Sequence, residues 1–259
     1  MTTVVAAFCP WTGQSTVLGV ALVGDCRSSV ELVPGLWQTY SDETEKIFRL
    51  GRYIMAAYSG NSRSAHFALR RLLDVVPKKS PLPAGKATEQ FLRATLHKGA
   101  MQAQHVGSSA ERAQSGGFQV FVAFMDSAWD VSTMLHTEPP GAKNRVSGWR
   151  PSLDHIDTIQ MMGSGAVAIV DFVSSLSRIV GDDAIEENPL YAQGGLLSLA
   201  LLDLLEVRTD LQSGGGIQSM TLSRDGVQPW SLWSSVPEYL TDPTVDPQWI
   251  RHGPAAFKA

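Results

Sequence analysis

A chain of 259 residues with 44% hydrophobic content can bury one large core or two small ones, which sets it apart from disordered sequences. Its formal charge of −4, with no sustained Lys/Arg run, leaves no basic excess for nucleic acid or an anionic membrane. Two cysteines, Cys9 and Cys26, are too few for a disulfide framework or a Cys-rich zinc site, and both are expected to be ordinary buried thiols.

The chain opens Met1-Thr2-Thr3 and runs at once into the apolar stretch Val4 to Phe8. Initiator methionine is normally trimmed before a small residue, so Thr2 is expected to carry a hydroxyl and a free α-amine together. With a reference pKa of about 7.7–8.0, that amine is partly neutral near pH 7 and can take the hydroxyl proton. No basic segment leads into an apolar signal, and no apolar run is long enough to span a bilayer, so a cytoplasmic chain is expected, with no propeptide ahead of Thr2.

Val4 to Phe8, the turn-rich Pro10 to Gln14 and Thr16 to Val23 read as a buried β-hairpin. It ends in Gly24-Asp25-Cys26-Arg27-Ser28-Ser29, which is either a satisfied turn or part of a site. A loop containing Pro34-Gly35 and an acidic patch, Asp42 to Glu45, lead to a second hairpin, Lys46 to Leu50 with Tyr53 to Gly60. Cap residues from Asn61 precede an amphipathic helix over His66 to Val76, with Leu69, Leu72 and Leu73 on its apolar stripe. Lys78 to Pro81 breaks it, and Thr88 to Gln104 predicts another helix with Phe91, Leu92, Leu96 and Met101 in the core.

A polar link, Gly107 to Gly117, separates these helices from two strands, Phe118 to Phe124 and Trp129 to Leu135, joined at Asp126-Ser127. The stretch Glu138 to His155 reads as a long loop ending at Ile156 to Met162, and Ala166 to Ile179 and Ala192 to Val207 read as helices. Ile217 to Ser223 is a last core strand, Asp225-Gly226 a turn, and the Pro- and Trp-rich remainder an irregular tail. Residues 1–226 are thus expected to form one domain and 227–259 a tail that packs on it or between subunits. Strands, two helices, strands, two helices and a strand do not alternate as in a parallel sheet; they suggest sheets between helix layers.

These pieces, in this order, resemble the proteasome β-subunit family of N-terminal nucleophile hydrolases, which includes the bacterial peptidases of two-component ATP-dependent proteases. Thr2-Thr3 is similar to the family's Thr-Thr start, Asp25-Cys26-Arg27 to its Asp-x-Arg, and Lys46-Ile47-Phe48 to its Lys-Ile-Tyr. Ala56 to Gly60 resembles a strand end whose glycine supplies an oxyanion-hole amide, Gly163-Ser164-Gly165 the Gly-Ser-Gly element, and Asp210 to Gly215 the Asp-x-x-Ser-Gly-Gly element. A first hairpin lengthened over Cys9 to Ser15, and the long tail, depart from the family pattern and suggest a bacterial offshoot.

The resemblance implies a four-layer α/β/β/α sandwich and a self-compartmentalising threonine endopeptidase needing no cofactor or metal. Thr2 would be the nucleophile, with Lys46 favouring the neutral amine and stabilising developing alkoxide while Asp25 holds that ammonium. Ser164, Asp210 and Ser213 would position the amine and its water, and the Gly60 N–H would face the oxyanion. Arg27, Ser28, Ser29, Tyr58 and Ser62 are the expected substrate-binding residues, with Thr44 and Phe48 also at the first pocket. Expected partners are polypeptide substrates, further copies of the chain in a double-ring homo-oligomer, and an ATP-driven unfoldase; nucleic acid and membrane are not expected. The same residues leave a non-catalytic ring subunit and a small-molecule amidase open. Simpler roles also stand: Lys46 as a surface partner of Glu43, Ser164 as a helix cap, Gly214 to Gly216 as a flexible turn.

Overall fold

The computed structural model describes residues 3–10, 17–33, 36–41, 44–113, 115–138, 145–147, 159–163 and 217–233. The described residues mix α and β structure and fall into two units, one within 1–47, 152–221 and 228–259, the other within 48–151 and 222–227. The helices expected over Ala166 to Ile179 and Ala192 to Val207 lie outside the described residues.

The first unit is built on a five-stranded sheet ordered β10-β1-β2-β11-β12. Its strands are β1 (Thr3–Pro10), β2 (Val17–Asp25), β10 (Ile159–Gly163), β11 (Ile217–Ser223) and β12 (Gly226–Trp233). The β1–β2 hairpin forms as its two apolar runs predict, antiparallel, with Val4 opposite Gly24 and Val5 opposite Val23. On its other side β1 pairs with β10, Thr3 opposite Gly163. Val20 to Val23 are fully buried, consistent with a strand covered on both faces.

Two differences from the sequence reading appear in this unit. The segment around Pro34-Gly35 is not simply a loop: β3 (Ser28–Val33) and β4 (Leu36–Ser41) pair antiparallel on either side of it. Beyond Gly226 the chain continues as β12 through Trp233 before the tail begins. Pro229 lies inside β12, which ends the sheet order among the described residues, the kind of strand in which proline is found.

The second unit carries a five-stranded sheet ordered β5-β6-β7-β8-β9. These are β5 (Ile47–Gly51), β6 (Ile54–Gly60), β7 (Phe118–Met125), β8 (Val131–Glu138) and β9 (Arg145–Ser147). The short β9 lies in the stretch read as loop and pairs antiparallel with the end of β8. Helices α1 (Ser62–Val75) and α2 (Lys86–His105) pack on each other, α1 also against β6 and β7 and α2 against β8. A short α3 (Ser109–Ala113) interrupts the expected polar link.

The start of α1 follows from Asn61, whose Oδ1 accepts the Ser64 N–H at 2.9 Å. Its buried stripe is Ser64, Ala65, Ala68, Leu69 and Leu72; Leu73 is 39% exposed, not core. In α2 the buried face is Leu92, Leu96, Gly99, Ala100 and Ala103, whereas Phe91 at 46% and Met101 at 37% exposure fall off it. The two helices meet at backbone distance, since a Cβ on Gly99 would sit 2.5 Å from Ala68 Cα and 2.7 Å from the Phe67 carbonyl. Glycine in mid-helix costs about 1 kcal/mol relative to alanine, and here the close crossing requires it. Leu50, Ile54, Tyr58, Leu72, Leu92, Phe118, Val122 and Met134 share one apolar core. No helix among the described residues is long and apolar enough to cross a membrane.

Candidate active site

Asp25 is the last residue of β2, and Lys46 immediately precedes β5. Both are buried, at 0% and 1% exposure, and the Lys46 Nζ donates to Asp25 Oδ1 at 3.0 Å. The second carboxylate oxygen accepts the Arg27 N–H at 3.2 Å, and the Arg27 carbonyl accepts from the Lys46 Nζ. Asp25 thus holds the turn and the ammonium at once. Its aspartate does what turn chemistry predicts, bonding a backbone N–H two residues on, and its other oxygen faces the lysine.

The segment bearing Lys46 is fixed at three further points. Thr44 N–H donates to the Cys26 carbonyl at 2.8 Å, and the Gln218 side-chain oxygen accepts the N–H groups of Lys46 and Ile47, each at 3.0 Å. Gln218 was not foreseen from the sequence; the only signal is a long amide side chain at the head of an otherwise compact strand.

Burial pushes the Lys46 ammonium below its usual value, opposed by the Asp25 charge and hydrogen bond, with the Arg27 charge adding to the lowering. A dry ion pair of this kind costs desolvation on both sides and is not by itself a stabilising device. What it provides is a compact cation in a fixed place. The expectation that Lys46 could be a solvated partner of Glu43 is therefore replaced by a buried lysine on Asp25.

The β1 register matters here. Val4 lies opposite Gly24, the residue before Asp25, and Thr3 opposite Gly163, the residue before Ser164. The start of β1, the end of β2 and the end of β10 thus share one end of the sheet. Thr2 itself, Ser164, Asp210 and Ser213 lie outside the described residues.

Of the expected substrate-binding residues, Arg27 contributes its backbone as above, Ser28 opens β3 opposite Ser41, and Ser29 is half-buried on the same strand. Tyr58, Gly60 and Ser62 belong to the second unit. Tyr58 is 1% exposed, its ring stacked on Phe48 at 6.1 Å between centroids and edge-on to His66 at 5.2 Å. Ser62 is the half-buried first residue of α1. Gly60 ends β6, exposed, with φ of 87°; a Cβ there would come within 2.8 Å of the Gly117 carbonyl. The left-handed backbone and this contact require glycine independently of any substrate.

Among the described residues no group of His, Cys, Asp and Glu is arranged to hold a metal ion. Neither the models of known protein families nor the curated proteins match this chain.

Proposed function

We propose that this chain is a threonine endopeptidase of the proteasome β type, a self-compartmentalising hydrolase that cuts unfolded proteins or peptides with Thr2 as N-terminal nucleophile. The observation that carries the reading is the dry Lys46 ammonium, held between Asp25 and the Arg27 carbonyl at the end of the sheet where β1 begins. A non-catalytic ring subunit has no use for a buried cation whose desolvation costs stability.

In this reading the Thr2 hydroxyl proton passes to its own α-amine, directly or through a water, as the oxygen bonds to the scissile carbonyl carbon. Collapse of the tetrahedral intermediate expels the peptide amine, which takes the proton, and leaves an ester on Thr2 that water then hydrolyses. Lys46 keeps the amine neutral by like-charge repulsion and stabilises the alkoxide. Ser164, Asp210 and Ser213 orient the amine and its water, and the Gly60 N–H stabilises the oxyanion. The fold proposed with it is the four-layer α/β/β/α sandwich, assembled as a cytoplasmic double-ring homo-oligomer that an ATP-driven unfoldase could feed.

Labelling with a peptide epoxyketone, read by intact mass, tests this reading. One adduct on chains whose first residue is Thr2, absent from Thr2→Ala, is expected together with peptide turnover. Turnover by Thr2→Ala or by N-terminally blocked chains would overturn it. Turnover and labelling by a particle that sediments as a monomer or dimer would favour the amidase.

A further inference from the structure

Gln218 sits half-buried near the start of β11, and its carboxamide closes on the backbone that leads into β5. Its Oε1 accepts from Lys46 N–H and Ile47 N–H at 3.0 Å each, and its Nε2 donates to the Ile47 carbonyl at 2.6 Å. One side chain therefore supplies the donor and the acceptor that a neighbouring strand would offer this stretch. A carboxamide is suited to the task because it combines a two-lone-pair acceptor with a donor on one rigid plane.

Since β11 is the neighbour of β2 in the sheet, Lys46 is held by two adjacent strands in different ways. Asp25 at the end of β2 takes the ammonium, and Gln218 on β11 takes the backbone from which that side chain extends. A lysine has four side-chain torsions between these two anchors. Fixing the head alone leaves the root free to slide; fixing both determines where the charge stands.

We propose that Gln218 is a positioning residue for the Lys46 ammonium. Its effect on turnover rests on the peptidase reading above, whereas its effect on Lys46 itself does not.

The test compares wild type, Gln218→Ala and Gln218→Glu as full-length chains. The readouts are thermal midpoint, the rate of Lys46 acylation by a small water-soluble ester followed by peptide mass spectrometry from neutral to alkaline pH, and kcat and KM on a fluorogenic peptide. In the folded alanine variant Lys46 should acylate about tenfold faster, the change expected when local opening no longer breaks a hydrogen bond. Its titration should move up toward the ordinary lysine range as burial relaxes. Peptide turnover should fall by roughly 10–100-fold in kcat with KM little changed, the signature of a displaced group rather than lost binding. Gln218→Glu keeps an acceptor for both N–H groups but sets a carboxylate oxygen against the Ile47 carbonyl. Its defect should be smaller at acid pH, where a protonated carboxyl can donate.

A folded alanine variant with unchanged Lys46 acylation and titration overturns the proposal, as does a lowered midpoint with kcat intact. If wild type cleaves no peptide, the peptidase reading fails and the Lys46 readouts alone decide about Gln218. If the alanine variant does not fold, the pH-dependent recovery of Gln218→Glu, or its absence, decides.

Discussion

Asp25 and Glu138 are both buried carboxylates at the last residue of a strand, and they face different kinds of base. Asp25 meets Lys46, whose ammonium burial pushes below its usual value while the Asp25 charge opposes that shift. Glu138 meets His136 Nε2 at 3.0 Å and His97 Nδ1 at 3.2 Å. Burial pushes His136 below the usual histidine value; Glu138 opposes that shift, while the Arg93 and His97 charges add to it. The first is a buried ion pair whose formation costs desolvation on both sides. The second can satisfy its geometry with neutral imidazoles, and so behaves as a structural contact whose strength follows pH.

The largest effect that would test this contrast is on the lysine. Lys46→Ala takes the ammonium away from the buried Asp25 carboxylate and should lose about 3–5 kcal/mol of stability in chemical denaturation. It should also be nearly as inactive as Thr2→Ala, and the double variant little worse. The pair Lys46→Met with Asp25→Asn should recover most of that stability and none of the turnover. Recovery of both would make the ion pair structural. Lys46→Arg should not restore activity, because a planar fork cannot replace a compact ammonium.

Gly99→Ala disturbs the second unit without touching either carboxylate. With Ala68 Cα 2.5 Å from the new methyl carbon, overpacking should cost about 1–3 kcal/mol in thermal denaturation. Turnover per folded molecule should stay unchanged; a parallel loss would mean that instability alone mimics the Lys46 effect.

Asp25→Asn keeps acceptor geometry but removes the charge that holds the ammonium up. Lys46, already lowered by burial, falls further, so the alkaline limb of the pH–rate profile should move to lower pH. An unmoved limb would assign it to another group.

Glu138→Gln should be the mildest, about 1 kcal/mol near neutral pH. Because the folded-state value of His136 lies below its unfolded value, stability is complete above the unfolded histidine range. It is lost as pH falls through that range toward the lower folded value. Removing the opposing carboxylate should deepen this acid loss, measured as the drop in thermal midpoint between neutral and mildly acidic buffer. An identical drop in both proteins would uncouple Glu138 from His136.

The hairpins and both long helices were legible because apolar runs of the right period are bounded by turn and cap residues, as at Asp126-Ser127 and Asn61. The β3–β4 ribbon was hidden by mixed polarity around Pro34-Gly35, and β12 by Pro229, a residue found in strands at the end position that only the sheet order reveals. Phe91 and Met101 misled because a helix stripe was read too wide. At the site, Asp25 and Lys46 stood out through a resemblance of short motifs. Gln218 did not, since a side chain that bonds backbone leaves no complementary residue type at its target.

The Gln218 clamp also sets an order of events during synthesis. It joins positions 172 residues apart, so at ribosomal rates of about 5–20 residues per second Lys46 emerges roughly 9–34 s before its backbone anchor has been made. Until then the lysine segment has neither the carboxamide nor the β11 neighbour that fixes it. The completed set of contacts around Lys46 therefore forms only after residue 218 has been made.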